Sequence, residues 1–232
     1  MAFCGDLMSP EYLVGVRGLI FDCDGVLFDS LASNIRYYNT IKAKLGLEPM
    51  DEDQARFVHM HAVQASLAYI VPKGMHHRIE EARASVDYNS EILPFLIPEP
   101  GLYELLAWLK RVGTPLAIST NRTTTMDMVV SRFGLQRFFF PVVTATQVWA
   151  KPHPEGVYKI LRQWRMAPAE VAYIGDSEVD EATAQAAGVA FWAYKNENLP
   201  ARLHIRDFWS LRRSLKKIFP SAPCLDRLRS YE

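Results

Sequence analysis

The chain has 232 residues, a length that fits a core domain with one inserted subdomain better than two full domains. Apolar residues make up 49% of the chain and charged residues 22%, which indicates a globular fold and excludes a disordered or fibrous one. Lysine plus arginine equal aspartate plus glutamate at 26 each, so no overall positive field favours nucleic acid or an anionic membrane as a partner.

Short apolar runs alternate with helical patterns along most of the chain. The runs, which are typical of buried parallel strands, are residues 16–21, 115–119, 139–143, 171–174 and 189–193. The helical patterns are residues 101–112, 123–133, 154–165 and 178–187. Glycines stand where three of these helices would need a C-cap with positive φ: Gly113, Gly134 and Gly188. This alternation predicts an α/β fold with a doubly wound parallel sheet, whose ligands bind beyond the carboxyl ends of the strands.

One segment departs from the alternation. It has helical periodicity in residues 35–45 and 54–70 but no convincing buried strand, so we expect an inserted helical cap. The predicted domains are a core of residues 1–30 and 98–232 and a cap of residues 31–97. Prolines cluster where the cap returns to the core, and we expect them to stiffen a hinge strand: Pro94, Pro98 and Pro100.

The most basic stretch of the chain is residues 202–217. Its arginines and lysines alternate with Leu211, Leu215 and other apolar residues at helical spacing. This pattern predicts the solvated face of a helix and not a phosphate-binding tail.

The sequence also bears on the cellular compartment. Cys4, Cys23 and Cys224 lie far apart without metal-ligand spacing, and an odd count argues against a disulfide framework. Residues 1–10 lack a basic start followed by an apolar run, and no later stretch is long and apolar enough to span a bilayer. We therefore expect a cytoplasmic protein that is neither secreted nor membrane-embedded. The sequence carries no signal for the oligomeric state.

Two carboxylates follow the first apolar run, in the sequence Asp22-Cys23-Asp24-Gly25. An acidic pair at a strand end costs free energy unless it has a use. One carboxylate can attack phosphorus while the other donates a proton to the leaving oxygen and later activates water, provided that a cation reduces their repulsion. A single Asp-x-Asp pair is nevertheless more often a helix cap or a loop pair.

Two further segments offer groups that could bind a phosphate. Ser119-Thr120-Asn121 follows a predicted strand, and a hydroxyl with the following backbone amides could hold phosphoryl oxygens, although the same residues are ordinary helix caps. Lys151 precedes Pro152 and a helical pattern, so the local chain can be neither regular strand nor helix. A fixed ammonium suits a phosphoryl anion, although such a lysine is usually only part of the surface.

The second strong acidic signal is the segment Gly175 to Asp180, which follows the predicted strand at residues 171–174. It again places carboxylates at the carboxyl end of a strand, with room for a hard cation coordinated by oxygen. A turn that caps the next helix would explain Asp176 or Ser177 alone, but it would not explain the coincidence with the first acidic pair.

Taken in order, the four segments resemble the signature of the haloacid dehalogenase superfamily, whose members are mostly phosphatases. The resemblance covers about residues 16 to 195. The opening pattern of the family appears as the nine residues from Asp22 to Ser30, and its closing Gly-Asp-Ser-x-x-Asp appears as Gly175 to Asp180.

This resemblance implies a Mg²⁺-dependent hydrolase of a small phosphorylated metabolite. Asp22 would be the nucleophile and a metal ligand, and Asp24 would be the general acid and base that also offers its backbone carbonyl to the metal. Asp176 would complete the protein ligands, with Asp180 as an outer or water-mediated ligand.

The resemblance also implies how the phosphate is held. Thr120 and the amide of Asn121 would bind phosphoryl oxygens, and Lys151 would bridge Asp22 and the phosphate. The Lys151-Pro152 bond is often cis in the family.

The insertion resembles the helical cap of the subgroup that includes phosphoglycolate phosphatase and β-phosphoglucomutase, and such caps close over small substrates. β-Phosphoglucomutase-like chains usually carry a histidine where this chain has Asn34, which makes a mutase the alternative and not the first choice. A non-catalytic phosphate-binding protein is the other alternative, although no core residue is missing. The basic cap residues that could set specificity are Arg56, His59, His61, Lys73, His76, His77, Arg78 and Arg83.

Overall fold

A computed structural model describes residues 15–60 and 63–218, and the structural statements below refer to that part of the chain. The strands are β1 Gly18–Phe21, β2 Phe28–Asp29, β3 Ile97–Pro98, β4 Leu116–Thr120, β5 Val142–Thr144, β6 Val171–Gly175, β7 Ala190–Tyr194 and β8 Leu203–Ile205. The α-helices are α1 Leu31–Lys44, α2 Glu52–Met60, α3 Val63–Ile70, α4 Ile79–Ala84, α5 Leu102–Arg111, α6 Met126–Arg132, α7 Glu155–Trp164, α8 Glu178–Ala187 and α9 Phe208–Ile218. Short 3₁₀ helices occupy Lys73–Arg78, Leu93–Phe95, Leu135–Arg137 and Pro168–Glu170, and Tyr88–Ile92 forms a π-helical turn.

Six of the described strands form one sheet in the order β5-β4-β1-β6-β7-β8, and every pairing in it is parallel. The central strand β1 is fully apolar and buried, because helices cover the sheet. The chain runs from β1 to β4 on one side and later reaches β6 on the other, so the carboxyl ends of these three strands are neighbours at the switch point of the topology. The predicted doubly wound α/β fold is confirmed.

The sheet differs from the prediction near Phe140. The apolar run at residues 139–143 predicted a strand from Phe139, but β5 begins at Val142. The Phe140–Pro141 peptide is cis, and Pro141 has no N–H to donate, so only its carbonyl joins the sheet, accepting a hydrogen bond from the Ile118 amide at 3.1 Å. The regular ladder therefore starts one residue later.

The C-terminal part of the described chain adds an edge strand, β8, that the sequence analysis did not predict. Helix α9 follows it, with Phe208, Leu211 and Leu215 buried and Arg213 and Lys216 exposed. The interpretation of the basic stretch as a solvated helix face is thus confirmed for residues 208–217 and wrong for residues 203–205, which form β8. No helix in residues 15–60 or 63–218 has the length and apolar character needed to cross a bilayer.

The chain divides into two compact units. Phe28–Pro98 is the helical unit, and the described residues before and after it form the sheet unit. Strands β2 and β3 pair antiparallel at the beginning and end of the helical unit, with Phe28 opposite Pro98. The sequence analysis found no strand signal at Phe28 because a two-residue strand shows no periodicity. The helical unit has its own apolar core, formed by Tyr38, Ile41, Leu45, Val58, Leu67, Ile70, Val71 and Ala82.

Candidate active site

The centre of the site is a buried lysine between two carboxylates. The Lys151 Nζ lies 2.7 Å from Asp22 Oδ1 and 2.6 Å from Asp180 Oδ1, and the three side chains are 8%, 10% and 0% exposed. Asp22 follows β1, and its amide donates to the Ile174 carbonyl of β6 at 2.9 Å. Burial lowers the pKa of Lys151, but Asp180 and Asp22 outweigh it and hold that pKa well above its usual range. The ammonium therefore stays charged at the carboxyl end of the sheet.

The Lys151 backbone is fixed from the end of β4. The Asn121 side chain accepts a hydrogen bond from the Lys151 amide at 2.7 Å and donates to the Lys151 carbonyl at 3.2 Å. The Lys151–Pro152 peptide is cis, as the resemblance implied. The resemblance implied a role only for the backbone amide of Asn121, which would bind a phosphoryl oxygen. Its side chain has a second task, which is to position the lysine loop.

Asp180 is the most enclosed acid of the site. Its Oδ1 accepts from Lys151, and the Tyr173 hydroxyl lies 3.2 Å from the same oxygen. Its Oδ2 accepts from the Ser177 hydroxyl at 2.6 Å and from the Ser177 and Asp176 amides at 3.3 Å each. A side chain at Gly175 would overlap Asp180, so glycine is required there. Asp180 thus fixes both the lysine and the turn after β6.

Asp176 lies where the first and fourth segments meet. Gly25 has φ +75°, and a Cβ on it would overlap the Asp176 carboxylate, so only glycine lets the two turns approach this closely. The Asn196 side chain donates to the Asp176 carbonyl at 2.9 Å. These contacts hold Asp176 beside Asp22 although 154 positions separate them in the sequence.

Carboxylate oxygens of Asp22, Asp176 and Asp180 lie within 4.8 Å of one another and could hold a metal ion. Burial, together with the nearby acids Asp180 and Asp176, raises the pKa of Asp22 to about 8 against the lowering effect of Lys151. Burial and the Asp180 charge likewise raise the pKa of Asp176 to about 7. Three crowded carboxylates, of which Asp22 and Asp176 have raised pKa values, are the donor set that a hard cation would stabilise, so these residues fit a divalent metal.

The observed group of three carboxylates differs from the predicted ligand set, which was Asp22, Asp24 and Asp176. Asp180 joins the carboxylate group, but Lys151 and the turn after β6 already occupy both of its oxygens. A role as an outer ligand therefore remains its predicted role. The Asp24 side chain does not belong to the group, which agrees with a contribution through its backbone carbonyl only.

The Asp24 carboxylate binds Arg122, a residue that the sequence analysis did not identify. Arg122 Nε donates to Oδ2 at 2.7 Å and its NH2 group donates to Oδ1 at 2.6 Å. The Arg122 amide also donates to the Thr120 hydroxyl oxygen at 3.1 Å. Arg122 comes directly after the Ser119-Thr120-Asn121 segment, but a single arginine in a loop gives no sign of a partner 98 positions away.

The contacts join the seven predicted residues in two networks at the ends of β1, β4 and β6. Asp24 and Thr120 are linked through Arg122, and the other five residues are linked around Lys151: Asp22, Asn121, Lys151, Asp176 and Asp180. Cys23, between the two aspartates, is fully buried, and burial raises the pKa of its thiol. This cysteine is a core residue and not a nucleophile.

The chain is similar to known proteins. The family described as haloacid dehalogenase-like hydrolase matches residues 19–194. A phosphoglycolate phosphatase of Rhodobacter capsulatus is 31% identical over 83% of this chain and 94% of its own. One from Synechococcus elongatus is 28% identical over 75% of this chain and 81% of its own.

A solved structure agrees with them. A HAD-superfamily hydrolase of subfamily IA from Geobacter sulfurreducens superposes with a TM-score of 0.78 at 36% identity, covering 88% of this chain and 97% of its own. The chain therefore belongs to the haloacid dehalogenase-like hydrolases, and it is a phosphoric monoester hydrolase.

Proposed function

We propose that the chain hydrolyses a phosphate monoester of a small molecule through a covalent aspartyl-phosphate on Asp22, with Mg²⁺ as its cofactor. The observation that carries this proposal is the Lys151 ammonium, buried between Asp22 and Asp180 at the carboxyl end of the sheet. A buried ammonium of this kind costs free energy of folding, and its positive charge is complementary to the negative charge of a phosphoryl group.

Asp22 and Asp24 divide the chemistry between them. In the first step an Asp22 carboxylate oxygen attacks phosphorus, the bond from phosphorus to the leaving oxygen breaks, and Asp24 donates a proton to that oxygen. In the second step Asp24 takes a proton from water, the water oxygen attacks phosphorus, and the bond to Asp22 breaks. The products are an alcohol and inorganic phosphate, and Asp22 is regenerated.

The phosphoryl oxygens are held by three groups of the chain. Lys151 contributes a fixed positive charge, and Thr120 contributes a hydroxyl whose oxygen already accepts from the Arg122 amide, so that its hydrogen is left to donate. The backbone amide of Asn121 is the third donor. Charge neutralisation and positioning account for most of the catalysis of phosphoryl transfer, so these groups are as important as the nucleophile.

The metal would be held by the carboxylates of Asp22 and Asp176 and by the Asp24 carbonyl, with Asp180 as the outer ligand. When bound, Mg²⁺ neutralises charge on the phosphoryl oxygens and keeps the carboxylate beside it ionised. Burial raises the pKa of Asp22 to about 8 in the metal-free protein, so Lys151 alone would leave this nucleophile largely protonated at neutral pH. The proposed chemistry therefore needs a cation.

Two relatives reported above are phosphoglycolate phosphatases, so we take phosphoglycolate as the first substrate to test. Residues 31–97 are proposed as the cap that selects the substrate. A β-phosphoglucomutase-type reaction would use the same core residues but would return phosphate to the sugar. Release of inorganic phosphate from a panel of phosphoglycolate, sugar phosphates and nucleoside monophosphates separates the two reactions.

The mechanism is tested by exchanging each aspartate for asparagine. Asp22→Asn should abolish turnover and covalent labelling, because the nucleophile is lost. Asp24→Asn should slow turnover by about 10²- to 10⁴-fold but still form labelled Asp22 slowly with acetyl phosphate, whose leaving group needs no proton. Peptide mass spectrometry identifies the labelled residue. Asp127→Asn, an exposed aspartate in α6, is the matched control and should behave like the wild type.

Three outcomes would contradict the proposal. They are label on a residue other than Asp22, undiminished turnover of Asp22→Asn, and full activity of the wild type in excess EDTA. Activity that disappears with EDTA and returns with Mg²⁺ supports it.

A further inference from the structure

Both oxygens of the Asp24 carboxylate are engaged by one guanidinium. The two hydrogen bonds from Arg122 are 2.7 and 2.6 Å long, and the side chains of Arg122 and Asp24 are 8% and 33% exposed. This parallel, two-point contact is the strongest geometry between arginine and a carboxylate. Neither Asp24 oxygen can then turn to a leaving oxygen without giving up a bond to Arg122.

The position of Arg122 relates it to the leaving group of the substrate. In the proposed function Asp24 donates a proton to the leaving oxygen. A group bound to the Asp24 carboxylate therefore lies beside the part of the substrate that is attached to this oxygen. The backbone of Arg122 is tied to Thr120, which is a proposed phosphate ligand. The guanidinium is therefore anchored next to the phosphate and directed to the side where the alcohol part of the substrate leaves.

We propose that Arg122 is a specificity residue that binds a carboxylate on the leaving group of the substrate. This inference rests on the proposed function. The substrate carboxylate takes the place of Asp24 on the guanidinium, and Asp24, released, faces the leaving oxygen. Arg122 thus links recognition of the second anionic group to the release of the residue that completes the reaction.

The exchange costs Arg122 little, because it replaces one carboxylate with another at the same guanidinium. Arg122 is nearly buried, and a buried arginine without an anionic partner would be costly. Asp24 is one-third exposed, so water can solvate it after release. A substrate with a neutral substituent offers no replacement, and Arg122 would then keep Asp24.

The neighbouring cations are less suited to this role. Lys151 is held between Asp22 and Asp180, and Lys195 is bound to the buried Glu99 at 2.6 Å. A lysine ammonium is also a point charge, whereas the planar guanidinium matches the two oxygens of a carboxylate.

Two substrates of similar size test the inference. Phosphoglycolate carries a carboxylate, and 2-hydroxyethyl phosphate carries a hydroxymethyl group in its place. The wild type should have a kcat/KM at least about 10²-fold higher for phosphoglycolate, as expected for loss of a charged two-point contact. In Arg122→Gln this preference should shrink to less than about threefold, through a fall in kcat/KM for phosphoglycolate and a rise for 2-hydroxyethyl phosphate, because Asp24 is no longer held.

Arg122→Lys keeps the charge but loses the fork, so it should recover only part of the preference. It also serves as the test variant if Arg122→Gln does not fold, as judged by circular dichroism. An equal loss on both substrates would overturn the inference and leave Arg122 as a residue that only holds Asp24 in place. Unchanged kinetics on both substrates would overturn it as well.

The failure of the inference can be separated from the failure of the proposed function. If the wild type hydrolyses an aryl phosphate with Mg²⁺ and Asp22→Asn does not, the proposed function stands. Equal kcat/KM values of the wild type for the two small substrates would then refute the inference about Arg122 alone.

Discussion

A lysine side chain is buried in each of the two compact units, and the two lysines have opposite surroundings. In the sheet unit, Lys151 lies between Asp22 and Asp180, which hold its pKa well above the usual range although burial lowers it. In the helical unit, Lys42 is 6% exposed and donates to the neutral side-chain oxygen of Gln54 at 2.7 Å. Burial lowers the pKa of Lys42, and Asp51 and Glu48 compensate only in part.

The charge of Lys151 belongs to the candidate site, whereas the ion pairs of the helical unit belong to its surface. The anionic partners of Lys151 come from distant segments and converge at the end of one sheet. Two ion pairs of the helical unit are local, Arg56 with Asp53 at 3.6 Å and Arg83 with Glu80 at 2.8 Å. A third, Lys44 with Glu91 at 3.5 Å, is partly exposed. Such pairs contribute little to stability. Charge that is buried and paired over long distances marks the site here, whereas charge alone does not.

The largest effect is expected when Lys151 is replaced by methionine. Lys151→Met leaves the fully buried Asp180 carboxylate without its cation, which should reduce the free energy of unfolding by about 3–5 kcal/mol, and it should abolish turnover. Urea denaturation without added metal measures the first effect and phosphate release measures the second. Lys216→Met, an exposed lysine of α9, is the control and should change neither by much. Loss of less than about 1 kcal/mol would contradict the role of Lys151 as the cation that stabilises a buried anion.

The metal should affect the sheet unit more at high pH than at low pH. In the metal-free protein burial raises the pKa of Asp22 to about 8 and that of Asp176 to about 7. The folded state then binds protons more tightly than the unfolded state. Its stability is complete below the ordinary aspartate pKa and is lost as the pH rises through these values.

Mg²⁺ binds the ionised carboxylates, so its stabilising effect should grow between pH 5 and pH 8. A saturating concentration of about 100 times Kd should add about 2.7 kcal/mol. Differential scanning calorimetry with EDTA or Mg²⁺ at several pH values measures this. A metal effect that is constant with pH, or that is larger at pH 5, would contradict it.

The sequence could predict the residues that stand at strand ends, because hydrophobic periodicity locates the strands and parallel strands bring their carboxyl ends together. Asp22, Thr120 and Asp176 were found in this way, whereas Lys151 was identified from its place before Pro152 and a helical pattern. It could not predict contacts made by single side chains from distant segments. The bidentate bond of Arg122 to Asp24 is one such contact.

Glu99 is a second case. This carboxylate is 5% exposed, and its Oε2 accepts from the Tyr194 hydroxyl at 2.9 Å and from Lys195 Nζ at 2.6 Å. In the sequence it stands between two prolines, where a glutamate reads as an exposed loop residue. Its partners lie at the end of β7, about a hundred positions later, and only the folded chain shows that they meet. Strand β8 was not predicted because its alternation of apolar and polar residues, Leu203-His204-Ile205, is only three residues long.

The smallest effect is expected for the lysine of the helical unit. Lys42→Met removes an ammonium that has a neutral hydrogen-bond partner, and methionine fills a similar volume. The free energy of unfolding at pH 7 should change by no more than about 1 kcal/mol, because the lost hydrogen bond and the avoided cost of burying a charge oppose each other. Lys44→Met, on the same helix but on its exposed side, is the matched control.

The pH dependence of Lys42→Met gives the sharper test. The pKa of Lys42 in the folded state lies below its ordinary value of 10.5, so the folded protein releases this proton at lower pH than the unfolded chain does. The wild type should therefore gain stability relative to Lys42→Met as the pH rises towards 10.5. At lower pH the difference in the free energy of unfolding between the two proteins should stay constant. Chemical denaturation of both proteins at pH values from 7 to 10 measures the difference. Lys151 has a raised pKa and should show no such gain in this range. If the wild type instead lost stability relative to Lys42→Met on this rise, Lys42 would be held by a carboxylate as Lys151 is, and the contrast between the two units would fail.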